Sequence, residues 1–231
     1  MPPEIILEVH DLKKTYISGE VETPALRGVN LKLERGEFAC VVGPSGCGKT
    51  TLLNLIGGLD RPTSGSILLD GLRVDTSSEK ELSRVRLHNI GFVFQAYNLF
   101  PVLSAVENVE YVLMLKGVSG AERRRKALAL LESVGLAEVA GKRPTQLSGG
   151  QQQRIAVARA ISTEPRLVLA DEPTANLDSA SAGVLLDLME RLNRDLGVTF
   201  LFSTHDQRVV ERARRVIHLR DGRVVDGNAK K

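Results

Sequence analysis

The glycine-rich stretch GPSGCGKT, residues 43–50, has the spacing of a phosphate-binding loop. It follows a short apolar run, residues 37–42, and opens a segment with helical periodicity, which is the context that the motif requires. Backbone N–H groups of such a loop curl around phosphates, and the helix N-terminus adds its partial positive charge. Lys49 is expected at the β- and γ-phosphates and the Thr50 hydroxyl at a Mg²⁺ ion. The predicted phosphate-binding residues are Gly43, Ser45, Gly46, Cys47, Gly48, Lys49, Thr50 and Thr51.

Two adjacent carboxylates follow a second apolar run, in RLVLADEP at residues 166–173. Asp171 stands at the end of a predicted strand, where it can hold Mg²⁺ through the water shell of the ion. Glu172 comes next, placed to orient and deprotonate a water that attacks the γ-phosphate. A pair of acids at a strand end is common by itself, but in a chain with a phosphate loop it favours catalysis. We therefore predict Lys49 and Glu172 as catalytic residues.

Three further side chains support a nucleotide site only in combination with the motifs above. Gln95 follows the apolar run IGFVF, where its amide oxygen could complete the Mg²⁺ shell beside Thr50 and Asp171, although an ordinary loop glutamine fits as well. His205 follows the run VTFLFS and could contact the γ-phosphate as a third catalytic residue, although a lone histidine is more often structural. Tyr16 could stack on a base, although an exposed loop tyrosine explains it equally.

A second glycine pair opens a predicted helix in QLSGGQQQRIAVARA, residues 146–160. Glycines at a helix start let a ligand, often a phosphate, approach the backbone closely. Ser148 can cap this helix, and the helix dipole favours an anion at that end. No phosphate-loop lysine lies nearby in the sequence, so the pattern does not say whose phosphate is bound. A surface helix that merely starts with glycines stays open as an alternative.

Composition and charge exclude several classes of protein. The chain has 231 residues and a formal net charge of +3, which is too small to argue for nucleic-acid binding. The N-terminal run contains acidic residues and the longest apolar runs are far below the ~20 residues of a spanning helix, so we expect neither a signal peptide nor a membrane span. Two cysteines give no disulfide framework and fit a reducing compartment. We expect the Cys47 thiol to be alkylated in the empty protein and protected by nucleotide, and Cys40, in a buried strand, to react little.

Periodicity predicts an α/β protein. Apolar or alternating runs predict strands, amphipathic runs predict helices, and Asp221-Gly222 predicts a hairpin near the C-terminus. Residues 96–161 have a helical texture and interrupt the strands, so we expect a helical lobe inserted into a mostly parallel core. The predicted strands are 5–9, 29–34, 37–42, 66–70, 90–94, 166–170 and 198–203; helices are predicted at 49–59 and in three segments of the lobe.

The set of motifs is similar to that of ATP-binding-cassette (ABC) ATPases, and the likeness covers essentially the whole chain. The phosphate loop, Gln95, LSGGQ (147–151), ADEPTANLD (170–178) and STHD (203–206) occur in the order and spacing of that family. The resemblance implies a single domain over 1–231 with a P-loop NTPase core (about 1–95 and 162–231), an N-terminal antiparallel β subdomain and a helical lobe (about 96–161). It also implies ATP hydrolysis with ATP and Mg²⁺ as ligands.

The resemblance further implies whose phosphate the second glycine pair meets. In this family two chains pack head to tail, and the signature loop of one chain meets the γ-phosphate held by the other. Residue by residue, this implies that Ser148, Gly149 and Gly150 face Lys49 of a second copy, with Gln151 near the ribose. Asp178 would cross the same interface. We therefore expect a homodimer that closes on ATP and reopens on hydrolysis.

Within the family, the chain is similar to the ATPases of lipoprotein-release, macrolide-efflux and cell-division complexes. The resemblance implies a peripheral protein on the cytoplasmic face of the membrane, driving a separate permease-type subunit. The partner would dock near Tyr97 and Phe100, although these aromatics could instead cap the core of the helical lobe. The alternative is an ABC ATPase of non-transport function, such as cell division or DNA maintenance; the short separation of Gln95 and Leu147 leaves no room for the coiled coil of DNA-repair types. The sequence does not identify the cargo.

Overall fold

The structure is a computed structural model that describes residues 4–226. Its strands form one four-stranded and one six-stranded sheet, with helices on both sides of the larger sheet. The strands are β1 (Ile5–Ser18), β2 (Val21–Glu34), β3 (Phe38–Val42), β4 (Ser64–Leu69), β5 (Leu72–Arg73), β6 (Ile90–Phe94), β7 (Leu167–Asp171), β8 (Thr199–Thr204), β9 (Arg215–Arg220) and β10 (Arg223–Asp226). The α-helices are α1 (Lys49–Ile56), α2 (Glu79–Asn89), α3 (Ala105–Leu115), α4 (Gly120–Ser133), α5 (Gly149–Ile161), α6 (Ser179–Leu196) and α7 (Gln207–Arg212).

The larger sheet has the order β10-β9-β3-β8-β7-β6, and all its pairs are parallel except the β9–β10 hairpin. Its register sets Val42 opposite Thr204, Ser203 opposite Asp171, and Asp171 opposite Phe94. The carboxyl ends of β3, β8, β7 and β6 therefore meet at one edge. The phosphate loop, His205, Glu172 and Gln95 each follow one of these ends, which is where open α/β sheets bind ligands.

Alternation along the central strands builds two cores. Phe38 and Cys40 of β3 and Phe200 of β8 face the helical lobe and α6, whereas Ala39 of β3 and Leu201 of β8 face α1 and the smaller sheet. Successive side chains of a strand point to opposite faces, and both faces are covered here. The strands are apolar throughout for this reason. Each fully buried phenylalanine contributes about 1.5–3 kcal/mol by leaving water.

The smaller sheet has the order β2-β1-β4-β5 and is antiparallel, as predicted. Its first hairpin is longer than predicted, because β1 continues to Ser18 and β2 begins at Val21. Tyr16 therefore lies within a strand and pairs with Thr23, not in a loop before the second strand.

The segment expected to be helical contains α3, α4 and α5, each preceded by a serine at the N-cap position. At α3 and α5 the serine takes part in a capping box, with Glu107 and Gln151 respectively, which satisfies two backbone donors reciprocally. Helix α5 packs against β6, α3 and α6, so it ties this segment to the core. Within residues 4–226, no helix combines the length and apolar character needed to cross a bilayer.

Candidate nucleotide site

A cavity of about 630 Å³ opens at the carboxyl edge of the parallel sheet. It joins the phosphate loop to the residues that follow β6, β7 and β8, three elements far apart in the sequence. The lining residues are Ala25, Gly43, Pro44, Ser45, Gly46, Gly48, Lys49, Thr50, Thr51, Gln95, Glu172 and His205. The structure therefore brings together most of the residues predicted for one nucleotide.

Gly48 fixes the shape of the phosphate loop where it enters α1. Its φ is 106°, a conformation that residues with a side chain rarely adopt. A Cβ at this position would also lie 2.6 Å from the backbone oxygen of Ala25 in β2. Glycine is thus required at position 48 for two reasons, the positive backbone angle and the close approach of a neighbouring strand.

Lys49 is buried at the bottom of the loop and its ammonium is already hydrogen-bonded. Its Nζ donates to the backbone oxygens of Gly43 at 2.8 Å and Pro44 at 3.2 Å. These two acceptors hold the side chain along the loop, under the space that a phosphate would occupy. An incoming β- or γ-phosphate offers the ammonium a charged acceptor, which makes a stronger hydrogen bond than a carbonyl.

The oxygen donors expected for Mg²⁺ converge. The Thr50 hydroxyl lies 3.0 and 3.2 Å from the two carboxylate oxygens of Asp171. Among residues 4–226 there is no cluster of three His, Cys, Asp or Glu side chains that could hold a metal alone. The chemistry of the Thr50 and Asp171 oxygens fits Mg²⁺, which takes one or two protein oxygens and completes its octahedron with water and substrate phosphates.

Glu172 faces the cavity from a strained backbone. Its φ is 46°, and its N–H donates to the backbone oxygen of Ser203 at 2.8 Å, which ties it to β8. Its Oε1 lies 2.8 Å from Nδ1 of His205, and its Oε2 accepts from the Thr204 hydroxyl at 3.3 Å. The Glu172 side chain is only 15% exposed against 74% for His205. The two predicted catalytic side chains therefore form one hydrogen-bonded pair, with the carboxylate on the inside.

Beside this pair lies an ionic contact that sequence analysis did not predict. Asp206 accepts from Arg208 and from the Thr174 hydroxyl, the latter at 2.6 Å. These hydrogen bonds, Arg208 first among them, lower the pKa of the Asp206 carboxyl to about 2. The contact joins the segment after Glu172 to the segment after His205. The only signal in the sequence is the aspartate that follows the histidine of STHD.

Gln95 is held through a neighbour. The side-chain amide of Asn176 donates to the backbone oxygen of Gln95 at 3.0 Å, and the two side chains approach to 3.5 Å. Beneath them, the buried Gln153 donates to the backbone oxygens of Phe94 at 3.1 Å and Pro173 at 2.8 Å. Helix α5 thus braces the two loops that carry Gln95 and Glu172. Gln153 was missed, and its position in the polar run GGQQQR gave no sign that it is buried.

The signature loop, residues 148–151, lies outside the cavity that the phosphate loop forms. Ser148 caps α5, accepting from the N–H of Gln151 at 3.2 Å, and Gln151 Oε1 accepts from the N–H of Ser148 at 2.9 Å. In the described part of the chain, none of the residues 148–151 lines the cavity formed by the phosphate loop of the same chain. The contacts predicted for Ser148, Gly149, Gly150 and Gln151 with the nucleotide of a second copy stay predictions, as does that of Asp178.

Tyr16 stands apart from the phosphate cavity. Its hydroxyl donates to Asp60 at 3.0 Å, and Lys14 places its ammonium 4.8 Å from the ring centroid. The residue is 41% exposed. Its predicted stacking on a base stays a prediction.

The structure contradicts the accessibility on which the expectation for the Cys47 thiol rests, and the labelling result itself stays a prediction. The residue is 6% exposed and belongs to the core beneath the loop. Its Sγ lies 2.7 Å from the point where a Cβ on Gly43 would be. Only the Cys47 backbone belongs to the curled loop, because the side chain turns inwards where the neighbouring glycines leave space. Cys40 is buried, as expected.

Tyr97 and Phe100 differ in their surroundings. Phe100 is 42% exposed, and its ring centroid lies 4.8 Å from that of Tyr111. It borders a mostly apolar groove of about 380 Å³ between α2, β6 and the helical lobe. Tyr97 is half-buried and contacts Gly149. Residues that line this groove include Phe92, Phe94, Phe100, Tyr111, Leu115 and Arg159.

Comparisons with known proteins agree with this geometry. The profile of the family described as "ABC transporter" matches residues 26–175. An uncharacterized ABC transporter ATP-binding protein of Thermotoga maritima is 46% identical over 95% of this chain and 93% of its own length. The lipoprotein-releasing system ATP-binding protein LolD of Anaeromyxobacter dehalogenans is 47% identical over 95% of this chain and 92% of its own. The macrolide export ATP-binding/permease protein MacB of Syntrophobacter fumaroxidans is 48% identical over 94% of this chain, which spans 31% of that protein.

Solved structures give the same result. A dimeric structure of the ATP-binding cassette MJ0796, in a post-hydrolysis state with ADP and Pi, matches with a TM-score of 0.91 and 43% identity over 98% of this chain and 99% of that one. The protein MJ0796 is from Methanocaldococcus jannaschii. The structure of cbiO1 from Clostridium perfringens, part of the ABC transporter complex cbiONQ, matches with a TM-score of 0.87 and 31% identity over 98% of this chain and 89% of that one. These matches confirm the predicted fold class, and the relatives named here do not support the alternative of a non-transport function such as cell division or DNA maintenance.

Proposed function

The chain belongs to the ABC transporter family as an ATP-binding and ATP-hydrolysing subunit, and we propose that it uses Mg²⁺-ATP to drive a separate membrane subunit from the cytoplasmic face. Two copies close around ATP and reopen after hydrolysis. Relatives with this role give the precedent: LolD is the ATP-binding protein of a lipoprotein-releasing system, and MacB is an export ATP-binding/permease protein. The cargo is set by the membrane subunit.

The observation that carries the proposal is the convergence of four groups at one sheet edge. The Lys49 ammonium lies along the phosphate loop, where we assign it to the β- and γ-phosphates, and the Thr50 hydroxyl with Asp171 forms an oxygen pair that we assign to Mg²⁺. Bound Mg²⁺ would neutralise charge on the phosphates. The Glu172 carboxylate lies on the wall of the same cavity, where it accepts a proton from water. His205 hydrogen-bonds to that carboxylate from the exposed side, and we assign it the γ-phosphate as its ligand.

Shared sites require that the phosphate loop of one chain works with the signature loop of the other. Lys49→Ala in one chain and Ser148→Asp in the other test this arrangement. Aspartate caps a helix as well as serine does, so Ser148→Asp keeps the start of α5 and places a negative charge where a facing phosphate is expected. The matched control is Ser148→Asn, which keeps the cap without the charge.

Each homodimer of Lys49→Ala or Ser148→Asp should fail to trap ATP. A mixed dimer combines both defects in one site and leaves the other site with an intact lysine and an intact signature loop. We expect differently tagged chains to form mixed dimers that occlude one ATP, measured as nucleotide retained after rapid gel filtration with Mg²⁺. If each chain used its own two loops, every site would carry one defect and no mixed dimer would retain ATP. The Ser148→Asn homodimer should trap ATP.

The membrane subunit is proposed to dock in the groove beside Phe100. Exposed apolar side chains border it, among them Leu115, 54% exposed, and Leu59, 47% exposed. Leu115→Asp places a charge in this groove and should weaken co-purification of an integral membrane protein with the tagged chain from detergent-solubilised membranes. The control is Leu196→Asp, on a leucine outside the groove that is 61% exposed. Equal loss in both variants would contradict the assignment of this groove.

A further inference from the structure

We propose that Tyr97 is a positioning residue that connects the docking groove with Gly149 of the signature loop. The inference rests on the proposed function, because it assigns a role between the membrane-subunit groove and the shared nucleotide site. The contact between Tyr97 and Gly149 lies within one chain, but it would affect binding of the nucleotide held by the other chain.

The first part of the connection is the contact between Tyr97 and Gly149. A Cβ built on Gly149 would lie 2.6 Å from the Tyr97 hydroxyl oxygen and 3.5 Å from the ring carbon that bears it. The hydroxyl therefore occupies the space that a side chain at position 149 would need. On the same side, the backbone oxygen of Asn176 lies 3.8 Å away. Gly149 is the first residue of α5, so this contact sets the position of the helix start.

The second part of the connection is the set of contacts that hold the Tyr97 backbone in place. Tyr97 and Asn98 have φ angles of 46° and 50°, in a region that asparagine enters more readily than most residues and that is uncommon for tyrosine. Arg159 holds them, since one of its guanidinium nitrogens donates to the backbone oxygen of Tyr97 at 3.0 Å and the other to that of Asn98 at 2.5 Å. Burial lowers the pKa of Arg159, and its guanidinium stays charged.

The third part is the position of Arg159. It lies on α5, as does Gly149, about 15 Å further along at 1.5 Å per residue. Arg159 also lines the docking groove together with Phe100. The segment from 97 to 100 is thus attached to both ends of α5, at Gly149 through the Tyr97 hydroxyl and at Arg159 through two carbonyls. A partner that displaces the groove side of this segment must change the contact at Gly149, and coupling of this kind is reciprocal.

A double-mutant cycle tests the contact. Gly149→Ala adds a Cβ that collides with the Tyr97 hydroxyl and should weaken ATP-dependent dimerisation about 10-fold, as overpacking does. Tyr97→Phe removes the hydroxyl and leaves the ring carbon 3.5 Å from that Cβ, an ordinary contact distance. The double variant Tyr97→Phe/Gly149→Ala should therefore regain most of the loss, measured by light scattering with Mg²⁺-ATP. Monomer fold is checked by thermal unfolding.

Mixed dimers sharpen the test, because the rescue must occur within one chain. When both substitutions are in one chain and the other chain is wild type, two ATP per dimer should be trapped. When each chain carries one substitution, the Gly149→Ala site stays defective and only one ATP per dimer should be trapped. The inference is overturned if Tyr97→Phe rescues nothing, which would mean that the Cβ collides only with the facing nucleotide. It is also overturned if rescue occurs across chains. Failure of the wild type to trap ATP would instead remove the proposed function.

Discussion

Replacing Glu172 by glutamine isolates the proton-accepting role of this side chain. The amide has the same length and shape as the carboxylate. It can still accept from the Thr204 hydroxyl, 3.3 Å from Glu172 Oε2, and face Nδ1 of His205, 2.8 Å from Oε1. What it loses is the ability to take a proton from water.

The expected size of the effect separates chemistry from stability. Loss of a general base lowers turnover by about 10²–10⁴-fold, which corresponds to about 2.7–5.4 kcal/mol at 1.36 kcal/mol per decade. Weakening the hydrogen bonds of Glu172 costs about 0.5–1.5 kcal/mol of folding free energy. Glu172→Gln should therefore fold, bind ATP and hydrolyse it very slowly.

Three measurements decide the outcome. Phosphate release gives turnover, a fluorescent ATP analogue gives binding, and gel filtration with Mg²⁺-ATP gives the oligomeric state. Because reopening requires hydrolysis, the variant should elute as a stable dimer under conditions where the wild type cycles. A Glu172→Gln protein that stays monomeric and hydrolyses ATP at the wild-type rate would refute the assignment of the base. Glu172→Asp is the matched control, since it keeps a carboxylate one methylene further back.

Three more outcomes follow from the surroundings of this site. The pKa of the Asp206 carboxyl is lowered from 3.8 to about 2, so the stability that its ion pair provides is fully present above about pH 4 and is lost as the pH falls through 2. Asp206→Asn should therefore remove up to about 2 kcal/mol of unfolding free energy at neutral pH. In urea titrations at a series of pH values, the variant should also lose less unfolding free energy between pH 4 and pH 2 than the wild type. Cys47, like Cys40, should resist iodoacetamide in the folded protein with or without ATP and react only in denaturant, as mass spectrometry of the labelled peptides would show; rapid native labelling of Cys47 would contradict its buried side chain. Gln153→Leu should lower the unfolding free energy by about 1–3 kcal/mol, because it removes the hydrogen bonds that Gln153 donates to the backbone oxygens of Phe94 and Pro173. Gln152→Leu, on a partly exposed neighbour, should lower it less.

The sequence alone predicted the parts of the fold that repeat a local rule. Buried parallel strands must be apolar over their whole length, so the runs ending at Val42, Phe94 and Asp171 were recognisable. Motif spacing then placed the phosphate loop and Glu172 at the ends of such runs. The register of the sheet turned these separate positions into one cavity, as expected for carboxyl ends of parallel strands.

Other features depend on contacts that no local pattern encodes. The second half of β1 contains KKTYIS, and its exposed ribbon of polar side chains lacks the apolar alternation that identifies a half-buried strand. Helix α6 was not predicted, although its eighteen residues form an amphipathic helix capped by Asp178. The inward turn of Cys47 follows from the packing of the loop over the core. The contact of Tyr97 with Gly149 joins two loops far apart in the sequence, and only the folded chain brings them together.

The hydrogen bonds inside the phosphate cavity have a consequence for how the site empties. The Lys49 ammonium has acceptors at Gly43 and Pro44, and the Thr50 hydroxyl has one at Asp171. A departing phosphate therefore does not leave the buried Lys49 ammonium without an acceptor, a state that would cost about 1–3 kcal/mol. The exposed Thr50 hydroxyl has water as well as Asp171 as a partner. The internal acceptors take the donors back as the product leaves. These internal bonds stabilise the empty site, so they oppose ligand binding and favour release of the product.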